Sequence, residues 1–317
     1  MEVFTDIPIK HYESFTRHEP VVLDNSNIKE YKLCPRRYFY RVVLGFTTPE
    51  NPPYFIFGRT YHKFRERLEI NFRDFINAGD SKQIAIAKSL GQSLNEAMEC
   101  WKNEAAKNRP TYSSDGKGKF DFLTLDRLKQ SCTATFAYWQ KEKEAGNIKV
   151  ISTEQPFTIQ LPSGDWYGGR ADQLIEHNGK IRGRDFKTTT KFEPYYKRSF
   201  VPNAQFAGYT YVEAKLHGRD VRGQIVEVLY NTKTTDPRLV PYPVDFTREQ
   251  LDEWEKGTMH WLSLIRKSRE EDDYPLNEEA CNFCPFHAVC QMPSETARGS
   301  VLKSMYKKQI WDHANDE

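Results

Sequence analysis

The sequence predicts an α/β fold with a helical block inserted before its sheet, and three observations carry that prediction. From Thr60 to about Ile76 the residues Phe64, Leu68, Phe72 and Ile76 recur every four positions, as in a helix with one buried face. After Gly146 the period changes to short extended runs, Ile151 to Leu161, Trp166 to His177 and Lys180 to Lys187. Ser163-Gly164 separates the first two and Asn178-Gly179, a strong hairpin signal, the last two.

The first twenty or so residues show no clear period. Ser26-Asn-Ile-Lys-Glu-Tyr-Lys-Leu-Cys34 then begins as a helix with Ser26 as its N-cap, ended or bent by Pro35. Helical patterns continue over 81–108 and 121–145, with a loop from Ser113 to Gly118 between them. The three extended runs form an antiparallel meander in the simplest arrangement. A helix over 202–216, strands over 224–231 and 239–244, and a helix over 247–269 opening with a Thr-x-x-Gln capping pattern complete the core. The acidic run Glu270 to Asp273 reads as a solvated helix end, and there is no internal repeat or low-complexity segment.

A chain of 317 residues can bury a substantial core, and 46 basic against 44 acidic residues leave it almost neutral. Any nucleic-acid surface must therefore be local. No apolar run approaches the roughly 18 residues needed to cross a bilayer, and the N-terminus lacks a signal-peptide pattern. The expectation is a soluble, cytoplasmic protein with no membrane partner. Six cysteines are too few for a disulfide scaffold. Cys100 and Cys132 sit in helical stretches and read as small buried apolar residues.

The residues with the clearest chemistry are carboxylates and a lysine. Asp172 ends Gly169-Arg-Ala-Asp172 on one strand, and Asp185 with Lys187 closes the next. A hairpin brings the two carboxylates together, and such a pair repels unless a divalent cation neutralises it; oxygen ligands suit magnesium or manganese. The strand period puts Asp185 and Lys187 on one face with Phe186 turned into the core. There the ammonium can orient a water or balance charge on a phosphate. His62 and Glu66 share one helix face, where the imidazole could complete a metal's coordination, and Gln205 and Tyr209 repeat that spacing after the strands.

In order, Gly58-x3-His62, Gly169-Arg-Ala-Asp172, Asp185-Phe-Lys187 and Gln205-x3-Tyr209 resemble the motifs of the RecB-like branch of the PD-(D/E)XK nuclease superfamily, over most of the chain. The resemblance implies a restriction-endonuclease-like core, a central mixed sheet flanked by helices. It implies that His62, Asp172, Asp185 and the main-chain carbonyl of Phe186 bind the catalytic Mg2+ or Mn2+. Lys187 would be the catalytic lysine, with Gln205 and Tyr209 positioning DNA and supporting the site. Ala171 stands where the superfamily name has proline, and Glu154 is a supporting carboxylate at most.

Cys34, followed by Pro-Arg-Arg-Tyr-Phe-Tyr, and Cys281-x2-Cys284-x5-Cys290 suggest one soft-metal site of four thiolates. Zinc and an iron-sulfur cluster both accept four cysteines, and spacing alone does not choose between them. Resemblance does: one cysteine before and three after the nuclease core is similar to the 4Fe-4S site of AddB, exonuclease V and the CRISPR-associated RecB-like exonucleases. Its implied role is structural, joining the N-terminal helix to the C-terminal segment.

Arg36 and Arg37 after the first cysteine, and Lys191, Lys197 and Arg198 with Tyr195 after the Asp-x-Lys strand, are candidate contacts for a single strand. No Gly-x4-Gly-Lys-Ser/Thr sequence occurs, so no helicase motor is expected within this sequence. The organisation expected is one nuclease domain over 20–295, with a helical insertion over about 63–148, a cluster-binding segment over about 278–295 and a C-terminal tail over 296–317. The function expected is a metal-dependent DNA nuclease acting on single-stranded ends in repair, recombination, phage replication or CRISPR adaptation. A helicase, recombination or adaptation protein would be its partner. The alternative is a non-catalytic iron-sulfur DNA-binding subunit of such a complex.

Overall fold

The computed structural model describes residues 22–309 apart from 50–51, 109, 111, 115–117, 219–220 and 222. In chain order its elements are β1 (Val22–Leu23), α1 (Asn25–Leu33), α2 (Pro35–Tyr38) with a following π-helical turn (Phe39–Val43), β2 (Phe46–Thr47), α3 (Pro53–Asn77), α4 (Lys82–Asn108) and α5 (Leu125–Ala145). Then come β3 (Ile148–Gln160), β4 (Trp166–His177), β5 (Lys180–Thr189), α6 (Glu193–Lys197), α7 (Ala204–His217), β6 (Gly223–Tyr230) and β7 (Arg238–Asp245). The chain continues through α8 (Arg248–Glu271), a 3-10 turn (Glu278–Phe283), α9 (His287–Cys290), α10 (Glu295–Met305) and β8 (Lys307–Lys308). The chain divides into two compact units, one from the described residues of 50–155 and 171–247, the other from those of 1–49, 156–170 and 248–317.

In the first unit β4 runs antiparallel to β5, β5 parallel to β6, and β6 antiparallel to β7, a mixed sheet. Asn178 and Gly179 both adopt left-handed backbone (φ 52° and 72°), the geometry a two-residue hairpin turn demands. Every residue of β6 is buried, as befits an interior strand. Helices cover both faces. On one, Phe57, Tyr61, Phe64 and Leu68 of α3 share a core with Ile86, Ala97 and Trp101 of α4, Leu128 and Trp139 of α5, and Phe186 and Leu229 of the sheet. On the other, Thr210 and Glu213 of α7 accept hydrogen bonds from Gln224 of β6, at 3.1 and 2.8 Å.

Beneath the apolar core lies a buried ionic network. Arg65 Nη2 is 2.9 Å from Glu227 Oε2, Arg184 Nε is 3.2 Å from the other oxygen of Glu227, and Arg184 Nη2 is 2.7 Å from Glu142 Oε2. Removing one member would strand a buried charge, a loss of several kcal/mol, roughly 3–5. The network therefore ties α3, α5, β5 and β6 to one arrangement.

The second unit is held around Tyr40, Phe46, Phe286, Val289 and Leu302. Tyr31 of α1 hydrogen-bonds Leu264 O and Ser268 Oγ of α8, and β1 lies parallel to the first residues of β4.

Several elements depart from the sequence expectation. Asp24, not Ser26, caps α1, its Oδ1 accepting the Asn27 N–H at 2.6 Å. Pro35 opens a new helical turn at its first position, where a missing N–H costs nothing. Helix α3 begins at Pro53, well before Thr60, because Ile56 and Phe57 extend its buried stripe. Within the expected tail, residues 295–305 are helical and bury Leu302. The first twenty residues, and the tail from 310, lie outside the described residues. Among the described residues no helix is long and apolar enough to cross a membrane.

Candidate active site

The site is built at the end of β5, wholly within the sheet unit. Strand alternation turns Arg184 and Phe186 toward α3 and α5, where the Arg65 guanidinium lies 4.4 Å from the Phe186 ring centre. Asp185 and Lys187 face the other way, with Lys187 Nζ 2.5 Å from Asp185 Oδ2 and 5.7 Å from the ring centre of Phe206 on α7. Asn203 caps α7 by accepting the Gln205 and Phe206 N–H groups. That fixes where the helix begins and points Gln205 and Tyr209, one turn apart, at the strand. Gln205 Nε2 lies 3.3 Å from Asp185 Oδ1 and 3.4 Å from the Tyr209 hydroxyl.

The β4–β5 pairing ends at Gln173 and Arg184. One step further the carboxylate of Asp172 accepts the Phe186 N–H at 2.6 Å. His62, from α3, places Nδ1 3.5 Å from the same Asp172 oxygen. Among the described residues, one group of three His, Cys, Asp or Glu side chains brings its donor atoms within 4.8 Å of one another: His62, Glu154 and Asp172. Glu154 reaches it from β3 with left-handed backbone (φ 47°), strained for a residue with a side chain.

Burial sets the electrostatics. Desolvation, then the Lys187 charge, lowers His62 to about 4, so its imidazole is neutral and keeps a lone pair for a cation. Burial pushes Asp185 up to about 6 against the attraction of Lys187, and raises Asp172 as well. Burial opposes the charge on Lys187, but Asp185 and Asp172 outweigh it and hold the ammonium above its ordinary pKa. Two carboxylates kept at high energy beside a neutral imidazole fit a divalent cation, which would relieve their repulsion.

The family model of the PD-(D/E)XK nuclease superfamily matches residues 25–291. The chain belongs to that superfamily. Superfamily members are nucleases that use divalent metals, and the fold of this one is the α/β arrangement of a mixed sheet between helices. The chain is also similar to the crystal structure of a "Putative exonuclease" from Eubacterium rectale, at 13% identity over 68% of this chain and 78% of that one, with a TM-score of 0.39. A second solved structure, SSO0001, is 14% identical over 56% of this chain and 79% of that one, with a TM-score of 0.27. None of the curated proteins matches this chain.

In this PD-(D/E)XK chain His62, Asp172, Asp185, Phe186, Lys187, Gln205 and Tyr209 come from four elements to one place. The tight donor set, however, takes Glu154 where the sequence reading has Asp185. Glu154, which the sequence suggests only as a supporting carboxylate, lies in the middle of β3, and its own segment carries no motif that would mark it as a ligand. Arg65, whose place beside His62 in the sequence suggests a DNA contact, is instead fully buried over Phe186 and paired with Glu227.

The candidate DNA contacts divide. Lys191, Tyr195, Lys197 and Arg198 are exposed, with Arg198 5.9 Å from the Tyr195 ring centre and Lys197 5.4 Å from that of Tyr242. Arg36 and Arg37 are in the other unit, where Arg37 is ion-paired to Glu30 and Arg36 bonds Tyr274 O. There Cys34, Cys281, Cys284 and Cys290 line one cavity with Arg37 and Tyr40. The Asn277 N–H points at Cys34 Sγ at 3.4 Å, and burial raises the Cys284 and Cys290 thiols.

Proposed function

We propose that this chain is a RecB-like, magnesium- or manganese-dependent deoxyribonuclease that hydrolyses single-stranded DNA from its ends. The observation that carries this is the meeting of His62, Glu154 and Asp172 beside the Asp185–Lys187 pair. His62, Glu154 and Asp172 would hold the cation, with Asp185 and the Phe186 carbonyl as the further ligands the motif implies. Such a cation supplies Lewis-acid charge for the scissile phosphate and acidifies water. Lys187, kept protonated by two carboxylates, is placed to balance charge growing on the phosphate and to orient the attacking water. Gln205 holds Asp185 on its free side, and Tyr209 holds Gln205. Asp172 fixes the Phe186 peptide by accepting its N–H.

Asp185→Ala and Lys187→Ala should each lower cleavage of end-labelled single-stranded DNA at least about 100-fold. Undiminished cleavage by both variants would remove the assignment. A closed single-stranded circle left intact beside a degraded linear strand supports end-dependence; equal cutting of both would point to an endonuclease.

The four cysteines are proposed to hold a 4Fe-4S cluster. Their meeting on one cavity from opposite ends of the sequence supports a single four-thiolate centre, and the choice of iron-sulfur over zinc rests on the resemblance. A brown anaerobic preparation containing iron and sulfide is expected, with Cys284→Ala colourless and melting lower. Stoichiometric zinc without iron would overturn it. One nuclease domain over 20–295, action with a helicase, recombination or CRISPR-adaptation partner, and a cytoplasmic location belong to the same proposal.

A further inference from the structure

Helix α3 spends its apolar side well: Ile56, Phe57, Tyr61, Phe64 and Leu68 are all buried. Its first turn does the opposite. Tyr54 and Phe55 are 40% and 46% exposed, yet their rings are ordered against each other, centroids 5.0 Å apart and 28° from parallel. Phe120, from the connection before α5, buttresses Tyr54 at 4.8 Å, and Lys119 Nζ stands 5.2 Å from the Phe120 ring centre. A solvent-facing pair of stacked rings gains nothing for folding from its exposure, whereas a ring face beside a cation suits a nucleobase on a phosphate backbone. The helix start adds to this, having no acidic residue in its first turn and the positive end of a 25-residue dipole.

The position of this shelf ties it to the site. Gly58 follows Tyr54 by one turn, about 6 Å along the axis. At Gly58 the helix passes the catalytic strand so closely that a Cβ there would lie 3.7 Å from Thr188 Oγ1, and Thr188 is the neighbour of Lys187. One turn beyond Gly58 is His62. The chain leaving the same strand end carries two more exposed rings, Phe192 at 74% and Tyr195 at 70%. We propose that Tyr54 and Phe55, buttressed by Phe120 with Lys119, are a base-stacking shelf that holds a single-stranded DNA substrate beside the catalytic end of β5. The proposal rests on the nuclease reading above for its substrate.

Binding of a fluorescent oligo-dT strand, without divalent cation so that no cleavage occurs, tests the shelf apart from the chemistry. Stacking is worth enough per base that Tyr54→Ala/Phe55→Ala should bind roughly tenfold more weakly or worse while remaining folded by circular dichroism at the assay temperature. Tyr54→Trp/Phe55→Trp should bind at least as well as the parent. On an abasic strand of equal length, parent and alanine variant should bind alike, because no base remains to stack. Equal affinity of parent and alanine variant for oligo-dT, or the same loss on the abasic strand, would overturn the shelf. A parent that binds oligo-dT through these rings but never cleaves it with manganese would sink the nuclease reading and leave the shelf standing.

Discussion

At the scale of single residues, the candidate site is a cluster of groups held away from their ordinary ionisation. Asp185 is raised to about 6 chiefly by burial, so below that pH it carries a proton and above it a negative charge. A cation competes with that proton. Affinity for Mn2+ is therefore expected to be full well above pH 6 and to fall about tenfold for each unit below it, a slope that calorimetric titration between pH 5 and 8 would read. An affinity flat across that range would remove Asp185 from the site. Asp185, Lys187 and Asp172 are legible in the sequence because a strand's period of two and a hairpin dipeptide place them by local rules. Glu154 is legible only as a supporting carboxylate, since its place among the donor atoms depends on left-handed backbone within β3 that no local pattern announces.

At the scale of elements, the periodic helices and the β4–β5 hairpin follow from the sequence, and their ends follow less well. The start of α3 was hidden by its own exposed rings: Tyr54 and Phe55 fall off the buried stripe that Ile56 and Phe57 continue. The pairing of β5 with β6 is parallel and spans a connection that includes two helices, so no turn residue reports it. It does leave one sharp demand. A Cβ on Gly223, at the head of β6, would lie 2.1 Å from the backbone oxygen of Val244 on β7, and a backbone oxygen in a ladder cannot step aside. Gly223→Ala should cost roughly 2 kcal/mol or more of stability, measured by urea denaturation. A change under about 0.5 kcal/mol would show that the β6–β7 edge is looser than described.

At the scale of the whole molecule, each unit is stabilised by groups that are far apart in sequence. In the sheet unit, Glu213 of α7 is pushed up to about 8 by burial, so it enters the fold as a neutral acid whose Oε2 accepts from Gln224. The unfolded chain ionises it near its ordinary 4.5. Between those values the native state holds more protons, and this group's contribution to stability falls as pH rises, by at most about 1.4 kcal/mol per unit. Denaturation midpoints of Glu213→Gln should depend less steeply on pH from 5 to 8 than those of the parent; parallel curves would refute the neutral carboxyl. In the cysteine unit, Cys34 meets Cys281, Cys284 and Cys290 on one cavity from opposite ends of the sequence. By itself the sequence determined what local chemistry can report: the α/β pattern, the motif residues, their family and the thiols. Only the tertiary structure decided that Glu154 joins His62 and Asp172, that Arg65 lies over Phe186, and that Arg36 and Arg37 are engaged within the protein. The reason is physical: helix and strand periods fix which way a side chain faces its own element, whereas coordination, ion pairing and ring stacking need partners brought from other elements by packing.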